Sequence, residues 1–284
     1  MAAERSWKYL EAHPDIVRND REPDEANGSV DYVLRITPRD DIPFRVWAAA
    51  ELYLSTGNDK YHQYFLKHYK EVPIETSGWH NPALAGFTDY LTMKPDDKTI
   101  QKDPSAVIYL KGNILRLANR YITGMKTFPH ESNYLLLERT GVLLTAYDLT
   151  QDVKYRTAAT RAVDYLFGVN PLGQSYLTGI GAKSVQRPDD RMMKAAGKLI
   201  EGYVVSGPDT NATDGRTPKG LGAASYRDDE KASSVNTPNI LYNASLAYVL
   251  GALNASYNIT QAPNQPPKTL DEKIHERNRK DSGH

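Results

Sequence analysis

The chain has 284 residues, and its 35 basic and 35 acidic side chains balance to a formal charge of zero. This balance supplies no basic excess for nucleic acid, and the absence of cysteine excludes disulfides, thiolate zinc sites and cysteine nucleophiles. No apolar run approaches the roughly 20 residues that span a bilayer, and the opening residues lack the apolar stretch of a signal peptide. We therefore expect neither a nucleic-acid nor a membrane partner, while the oligomeric state and the compartment stay open.

Helical periodicity dominates the first 170 residues. Apolar residues recur at spacings of three and four over residues 107–121 and 135–147, and each stripe predicts a helix with one buried face. Segments 48–61 and 144–155 resemble one another, because in each an apolar helix meets a short polar turn and then a second helix. Gly57 suits the left-handed closing residue of the first turn, and Asp59 and Asp152 suit helix N-termini. Repeated helical hairpins predict a helical toroid or solenoid.

The character of the chain changes after residue 168. Residues 169–236 are rich in Gly, Pro, Asp, Asn and Ser, which predicts a long loop region, and ordered loops of this length are often functional. Apolar residues lie almost all round a predicted helix over 240–253, so we expect this helix to be deeply buried. Residues 261–284 are Pro-rich and then charged and predict a disordered tail, which leaves one domain over residues 1–260.

Two spaced patterns occupy the loop region. The first is Ser-Tyr-Leu-Thr-Gly-Ile-Gly-Ala-Lys at 175–183, followed by Pro-Asp-Asp-Arg at 188–191. The second is Tyr-Arg-Asp-Asp at 226–229, followed by Asn-Thr-Pro-Asn-Ile-Leu-Tyr-Asn-Ala at 236–244. Together they resemble the two signature regions of glycoside hydrolase family 9, the cellulase family with an (α/α)6 barrel. Shorter segments at 49–53 and 207–209 are also similar to family segments, and the resemblance covers roughly residues 6–256.

The resemblance implies a fold and an activity. The expected fold is all-α, with helical hairpins forming an (α/α)6-barrel-like toroid, incomplete on its N-terminal side, and long ordered loops. The expected activity is hydrolysis of β-1,4-glucans, such as cellulose or cello-oligosaccharides, in polysaccharide catabolism and without a cofactor. An oligo- or polysaccharide is then the expected partner, and relatives of this kind are generally exported.

Three departures from the family pattern bear on this chemistry. The His of the first signature is Asp189, although its Arg is kept as Arg191. The general-acid Glu of the second signature is Thr237, whose hydroxyl holds its proton too tightly near neutral pH. The Asp-Ala-Gly-Asp motif that activates water is not found in the sequence. Because inverting glycosidases need two carboxyl groups, we expect an incomplete or inactive hydrolase, a non-catalytic carbohydrate-binding protein, or a truncated gene product.

Several residues remain candidates for the site. Thr237 also suits the N-cap of the following apolar helix, with a proline at the first helical position, and we favour this structural role. Asp228 and Asp229 are candidate replacement acids, with the ordering of a solvated loop as the alternative. Asp189 and Arg191 are suited either to binding a sugar or to forming a local ion pair.

The run Phe-Pro-His-Glu-Ser-Asn at 128–133 resembles a family loop that lines the cleft. His130 and Asn133 are therefore expected to contact substrate, and a helix start is the alternative role for Asn133. Tyr226, at the start of the second spaced pattern, is also expected to contact substrate. No histidine pair or acidic set has metal-ligand spacing, so the sequence predicts no metal.

Overall fold

The computed structural model describes residues 2–14, 41–75, 82–94 and 100–257. The predicted tail over 261–284 lies outside these ranges. Within them the chain forms ten α-helices and a short 3₁₀ turn at Gly222–Ala224. The helices are α1 (Ala2–Ala12), α2 (Ile42–Thr56), α3 (Asp59–His68), α4 (Ala83–Thr92), α5 (Pro104–Tyr121), α6 (Ser132–Thr150), α7 (Val153–Leu166), α8 (Arg191–Ala196), α9 (Ser233–Asn236) and α10 (Ile240–Ser256). No helix in the described ranges combines the length and the hydropathy needed to cross a membrane.

The two similar sequence segments are two hairpins of matching geometry. Gly57 closes α2 with a φ of 67°, the left-handed conformation predicted for it, and Gln151 closes α6 with a φ of 56°. The side chains of Asn58 and Asp152 then cap α3 and α7 by accepting a hydrogen bond from the backbone N–H two residues on. Asp59 lies one place inside α3, because the amide of Asn58 occupies the cap.

Four helices pack side by side in the order α2, α4, α6, α10. Helix α3 packs against α2, α5 packs mainly against α6 and also against α4, and α7 packs mainly against α6 and also against α10. Helix α1 joins through Trp7, whose ring meets Tyr61 and Tyr64 of α3 edge-on. Helix α6 contacts α4, α5, α7 and α10. Its buried residues therefore surround the axis, and the prediction of a single buried face is wrong for this helix.

Of the other two helices predicted from apolar residues, α5 agrees with its prediction and α10 does not. The stripe on α5 is confirmed, since Leu110, Ile114 and Leu117 are buried at spacings of three and four. Helix α10 is buried along one stripe only, and Ile240 and Tyr248 remain 79% and 53% exposed. The prediction that α10 is deeply buried is wrong, because α6 and α7 are its main partners among the described helices and both lie on one side of it.

The long loop region between α7 and α10 is tied together by backbone pairing, as its composition predicted for an ordered loop. Its three isolated β-bridges join Leu177 to Val204, Thr178 to Val185, and Val205 to Pro238. These pairs bring segments that are far apart in sequence onto one surface beside the first residues of α6 and α10. The described ranges contain no regular β-strand.

Candidate functional site

The two spaced sequence patterns meet at the side chain of Asn236, which is completely buried. Its Nδ2 donates to the backbone oxygen of Arg187 at 2.6 Å and lies 3.2 Å from Oδ1 of Asp228. Its Oδ1 accepts a hydrogen bond of 2.6 Å from the hydroxyl of Tyr226. An amide both donates and accepts, so this one side chain holds the loop before residue 188 against the loop after residue 226.

The carboxylate of Asp228 orders the neighbouring loop. One oxygen accepts from the backbone N–H of Gln186 at 2.8 Å, and the other accepts from the N–H of Arg187 at 2.9 Å. With Asn236 on the second oxygen as well, both oxygens are engaged by the protein. This is the loop-ordering alternative that the sequence left open for the residue.

The carboxyl group of Asp229 has a lowered pKa. Its carboxylate accepts from the backbone N–H of Lys231 at 3.0 Å. That bond, with a smaller contribution from the charges of Arg187, Arg216 and Arg227, lowers the pKa of Asp229 below its ordinary value. The group is therefore ionised near neutral pH and carries no proton for a leaving group.

Thr237 lies beside Asp189. Its hydroxyl is 3.1 Å from Oδ2 of Asp189 and 2.8 Å from the backbone oxygen of Ser233, either of which can accept its proton. The prediction that Thr237 caps the apolar helix is wrong, because the side chain of Asn239 caps α10 and Thr237 follows the last residue of α9. The backbone at Thr237 is extended, and its carbonyl accepts from both the N–H and the hydroxyl of Ser206.

Asp189 and Arg191 stand at the edge of the same surface. The backbone N–H of Asp189 donates to the oxygen of Asn236 at 2.9 Å, which fixes the loop next to Thr237. Arg191 is the exposed first residue of α8, whose cap is the side chain of Asp190. Within the described part of the chain, no ion pair joins Asp189 to Arg191. Arg191 is therefore exposed at the start of α8, whereas the partly buried carboxylate of Asp189 contacts the Thr237 hydroxyl.

The other three candidate substrate contacts differ in exposure. His130 is exposed, and its Nδ1 lies 3.6 Å from the buried carboxylate of Asp209. Asn133 is only 1% exposed, and its Nδ2 donates to the backbone oxygen of Val205 at 2.9 Å. Tyr226 is 7% exposed, and burial raises the pKa of its hydroxyl well above the ordinary value. A substrate contact by each of the three stays a prediction. Asn133 also holds the backbone of Val205 in place, and Tyr226 holds the side chain of Asn236.

Glu131 is a residue of this surface to which the sequence assigned no role. Its backbone is left-handed, with φ 58° and ψ 36°, a conformation that costs a non-glycine residue roughly 1–2 kcal/mol. Its Oε1 accepts a hydrogen bond of 2.6 Å from the hydroxyl of Tyr242 on α10. Burial, and then this bond, raise the pKa of Tyr242. The conformation has no sequence signal, because glutamate, unlike glycine, asparagine or aspartate, is not enriched at positive φ.

Within residues 2–14, 41–75, 82–94 and 100–257, no three His, Asp or Glu side chains are arranged to hold a metal ion. The polar atoms around Asn236 are satisfied by one another and by backbone. Chemically, the surface offers hydroxyl, carboxylate and guanidinium groups that can bind the hydroxyls of a sugar.

Comparison with known proteins bears on what this surface serves. The family model described as glycosyl hydrolase family 9 matches residues 1–250. The chain is 31% identical to the xyloglucan-specific endo-beta-1,4-glucanase BoGH9A of Bacteroides ovatus, over 90% of this chain and 46% of that protein. It is 27% identical to Endoglucanase C of Cellulomonas fimi, over 94% of this chain and 25% of that protein.

The fold of this chain is also similar to that of a solved structure. A metagenome-derived glycoside hydrolase family 9 endoglucanase matches with a TM-score of 0.75 and 32% identity, over 90% of this chain and 46% of its own. The neighbours of this family are (α/α)6 barrels, which confirms the predicted all-α fold of helical hairpins. The chain spans about half the length of BoGH9A and of this structure.

Proposed function

The chain belongs to glycosyl hydrolase family 9, and on this premise we propose that it serves in the degradation of β-1,4-glucans. The glucan chain is expected to lie along the surface that carries Asp189, Arg191 and Thr237, with the exposed ring of His130 beside it. The relatives named above are endoglucanases, and the all-α fold is the one that their family uses.

The observation that carries the proposal is the hydrogen-bond network of Asn236. It joins the Asp189 loop to the Thr237 loop, and places a carboxylate oxygen 3.1 Å from a hydroxyl at an accessible surface. A sugar presents adjacent hydroxyls that both donate and accept. The pair of Asp189 and Thr237, with the exposed Arg191 two residues along the chain from Asp189, matches that pattern.

The same residues favour binding over cleavage. Thr237 has no acidic proton, the oxygens of Asp228 are engaged by backbone N–H groups, and Asp229 has a lowered pKa. Loss of a general acid typically removes about 10²–10⁴-fold in rate. We infer that the described surface holds a glucan chain and that hydrolysis by it is slow for want of a proton donor.

Restoring the carboxyl group tests both parts of the proposal. Binding of cellohexaose is measured by titration calorimetry, and release of reducing sugar is measured on carboxymethyl-cellulose. Thr237→Glu is expected to raise sugar release by about tenfold or more over the parent chain. Thr157→Glu, at an exposed position of α7, is the matched control and is expected to change neither quantity.

The outcomes separate the two claims. Absence of cellohexaose binding by the parent chain would contradict the glucan surface itself. Binding that is intact in both variants, with no gain of hydrolysis in Thr237→Glu, would support the glucan surface and contradict the inference that the missing proton donor alone limits hydrolysis.

A further inference from the structure

A cavity of about 320 Å³ lies between the C-terminal end of α5 and the facing sides of α6 and α7. It shares no lining residue with the Asn236 network. Most of its wall is apolar, with Ile122, Met125, Phe128, Leu136, Leu143 and Ala158 among its lining residues. No aspartate or glutamate lines it, although it contains two arginines. Its volume is at the lower end of the range of pockets that hold small organic ligands.

Arg139 of α6 and Tyr165 of α7 each bring to this wall a buried polar atom without a hydrogen-bond partner, and Arg139 is the charged one of the two. Its guanidinium carbon lies 5.0 Å from the centre of the Tyr121 ring, so the group is stacked. Its Nε is buried and has no hydrogen-bond partner, and no described residue forms an ion pair with it. Buried polar atoms in folded proteins are nearly always paired. An unpaired guanidinium donor in an apolar cavity is therefore a group that lacks its acceptor.

The exposed Arg161 of α7 adds a second positive charge to the same cavity. With two guanidinium groups and no carboxylate in the wall, the cavity favours an anion. Its apolar surface favours a ligand with a ring, because an inorganic anion would leave that surface bare. Guanidinium groups bind carboxylates through two parallel N–H donors.

We propose that this cavity is a binding site for a small organic anion, namely a carboxylate attached to an apolar or aromatic ring. The carboxylate pairs with Arg139, and the ring lies against the walls formed by α6 and α7 and by Phe128. The site is separate from the glucan surface, and the inference does not depend on the proposed function.

A purely structural role for Arg139 makes different predictions. In that role the guanidinium stacks on Tyr121 and offsets the partial negative charge at the C-terminal end of α5. Removing it would then lower the stability of the free protein, and the cavity would bind no anion. If instead Arg139 awaits a ligand, its removal takes away a buried donor that has no acceptor and leaves the stability of the free protein equal or higher.

Calorimetric titration of the whole chain distinguishes the two roles. The probe is 4-hydroxycinnamate, whose affinity is expected at a Kd of about 1 mM or tighter. The neutral analogue 4-hydroxycinnamyl alcohol is expected to bind about tenfold more weakly or worse, and inorganic phosphate is expected not to bind.

Variants locate the binding. Arg139→Met is expected to weaken 4-hydroxycinnamate about tenfold or more without lowering the melting temperature of the free protein. Ala162→Phe fills the cavity from α7, keeps the charge of Arg139 and is expected to abolish binding. This second variant tests the proposal even if Arg139→Met does not fold. Arg116→Met, on the exposed face of α5, is the control and should change neither quantity.

Three results would overturn the proposal. They are the absence of binding heat up to about 10 mM 4-hydroxycinnamate, equal affinity for the neutral analogue, and unchanged affinity in both Arg139→Met and Ala162→Phe.

Discussion

Replacing Asn236 by alanine tests whether one amide holds the candidate site together. The change leaves the buried hydroxyl of Tyr226 and the backbone oxygen of Arg187 without the partners that now lie at 2.6 Å. Each buried group left unpaired costs about 1–3 kcal/mol, so we expect the free energy of unfolding to fall by about 3 kcal/mol. For a chain of this size this corresponds to a fall in melting temperature of roughly 6–12 °C.

The assay is equilibrium unfolding in urea, followed by far-ultraviolet circular dichroism, on the parent, Asn236→Ala, Tyr226→Phe and the double variant. If the two side chains act through their shared hydrogen bond, the cycle should show a coupling of about 1 kcal/mol. Asn113→Ala is the matched control, because that amide lies on α5 and bonds within its own helix. It should alter stability by no more than about 0.5 kcal/mol.

The network also predicts an effect on binding. Asn236→Ala removes the side-chain bond to the backbone oxygen of Arg187 and keeps the backbone bond from Asp189 to residue 236, so the Asp189 loop is held less firmly and affinity for cellohexaose should fall together with stability. The reasoning is refuted if Asn236→Ala costs no more than the Asn113→Ala control, or if the two changes in the cycle simply add.

Two further predictions concern other parts of the fold. Burial and the neighbouring Asp89 raise the pKa of Glu51 from 4.5 to about 7, so the folded state binds the proton more tightly and stability should fall as pH rises from about 4.5 to about 7. Glu51→Gln should therefore lose less melting temperature than the parent between pH 5 and pH 8, and an equal loss would contradict the shift. Gly207 has a φ of 86°, and a Cβ there would lie 2.3 Å from Cγ of Asn133, so Gly207→Ala should cost about 2 kcal/mol or more in thermal melts. Gly112→Ala, where the added methyl meets nothing within 4 Å, should instead stabilise by about 0.5–1 kcal/mol, and similar melts for the two variants would show that Asn133 does not pack on Gly207.

The sequence predicted much of the local structure. Three local features were predicted correctly: the stripe on α5, the left-handed turn at Gly57 and the cap at Asp152. Each depends on residues that are neighbours within about one helical turn, so the amino-acid pattern is enough to predict it. The same limit explains the errors. Thr237 followed by proline predicts the N-cap of a helix. In the structure Asn239 caps α10 instead, because the carbonyl of Thr237 accepts a hydrogen bond from the distant Ser206.

Residue types and spacing alone thus determined the helical hairpins, the long ordered loop and the family to which the chain belongs. Tertiary structure alone decided which polar groups meet: the amide of Asn236 reaches the backbone of Arg187 across 49 positions, and Glu131 takes a left-handed backbone to receive the Tyr242 hydroxyl. It also left Arg139 facing an apolar cavity without an acceptor. The physical reason is that helix periodicity and capping act over three or four residues, whereas the partner of a buried polar group is set by which distant segments the packed helices bring together.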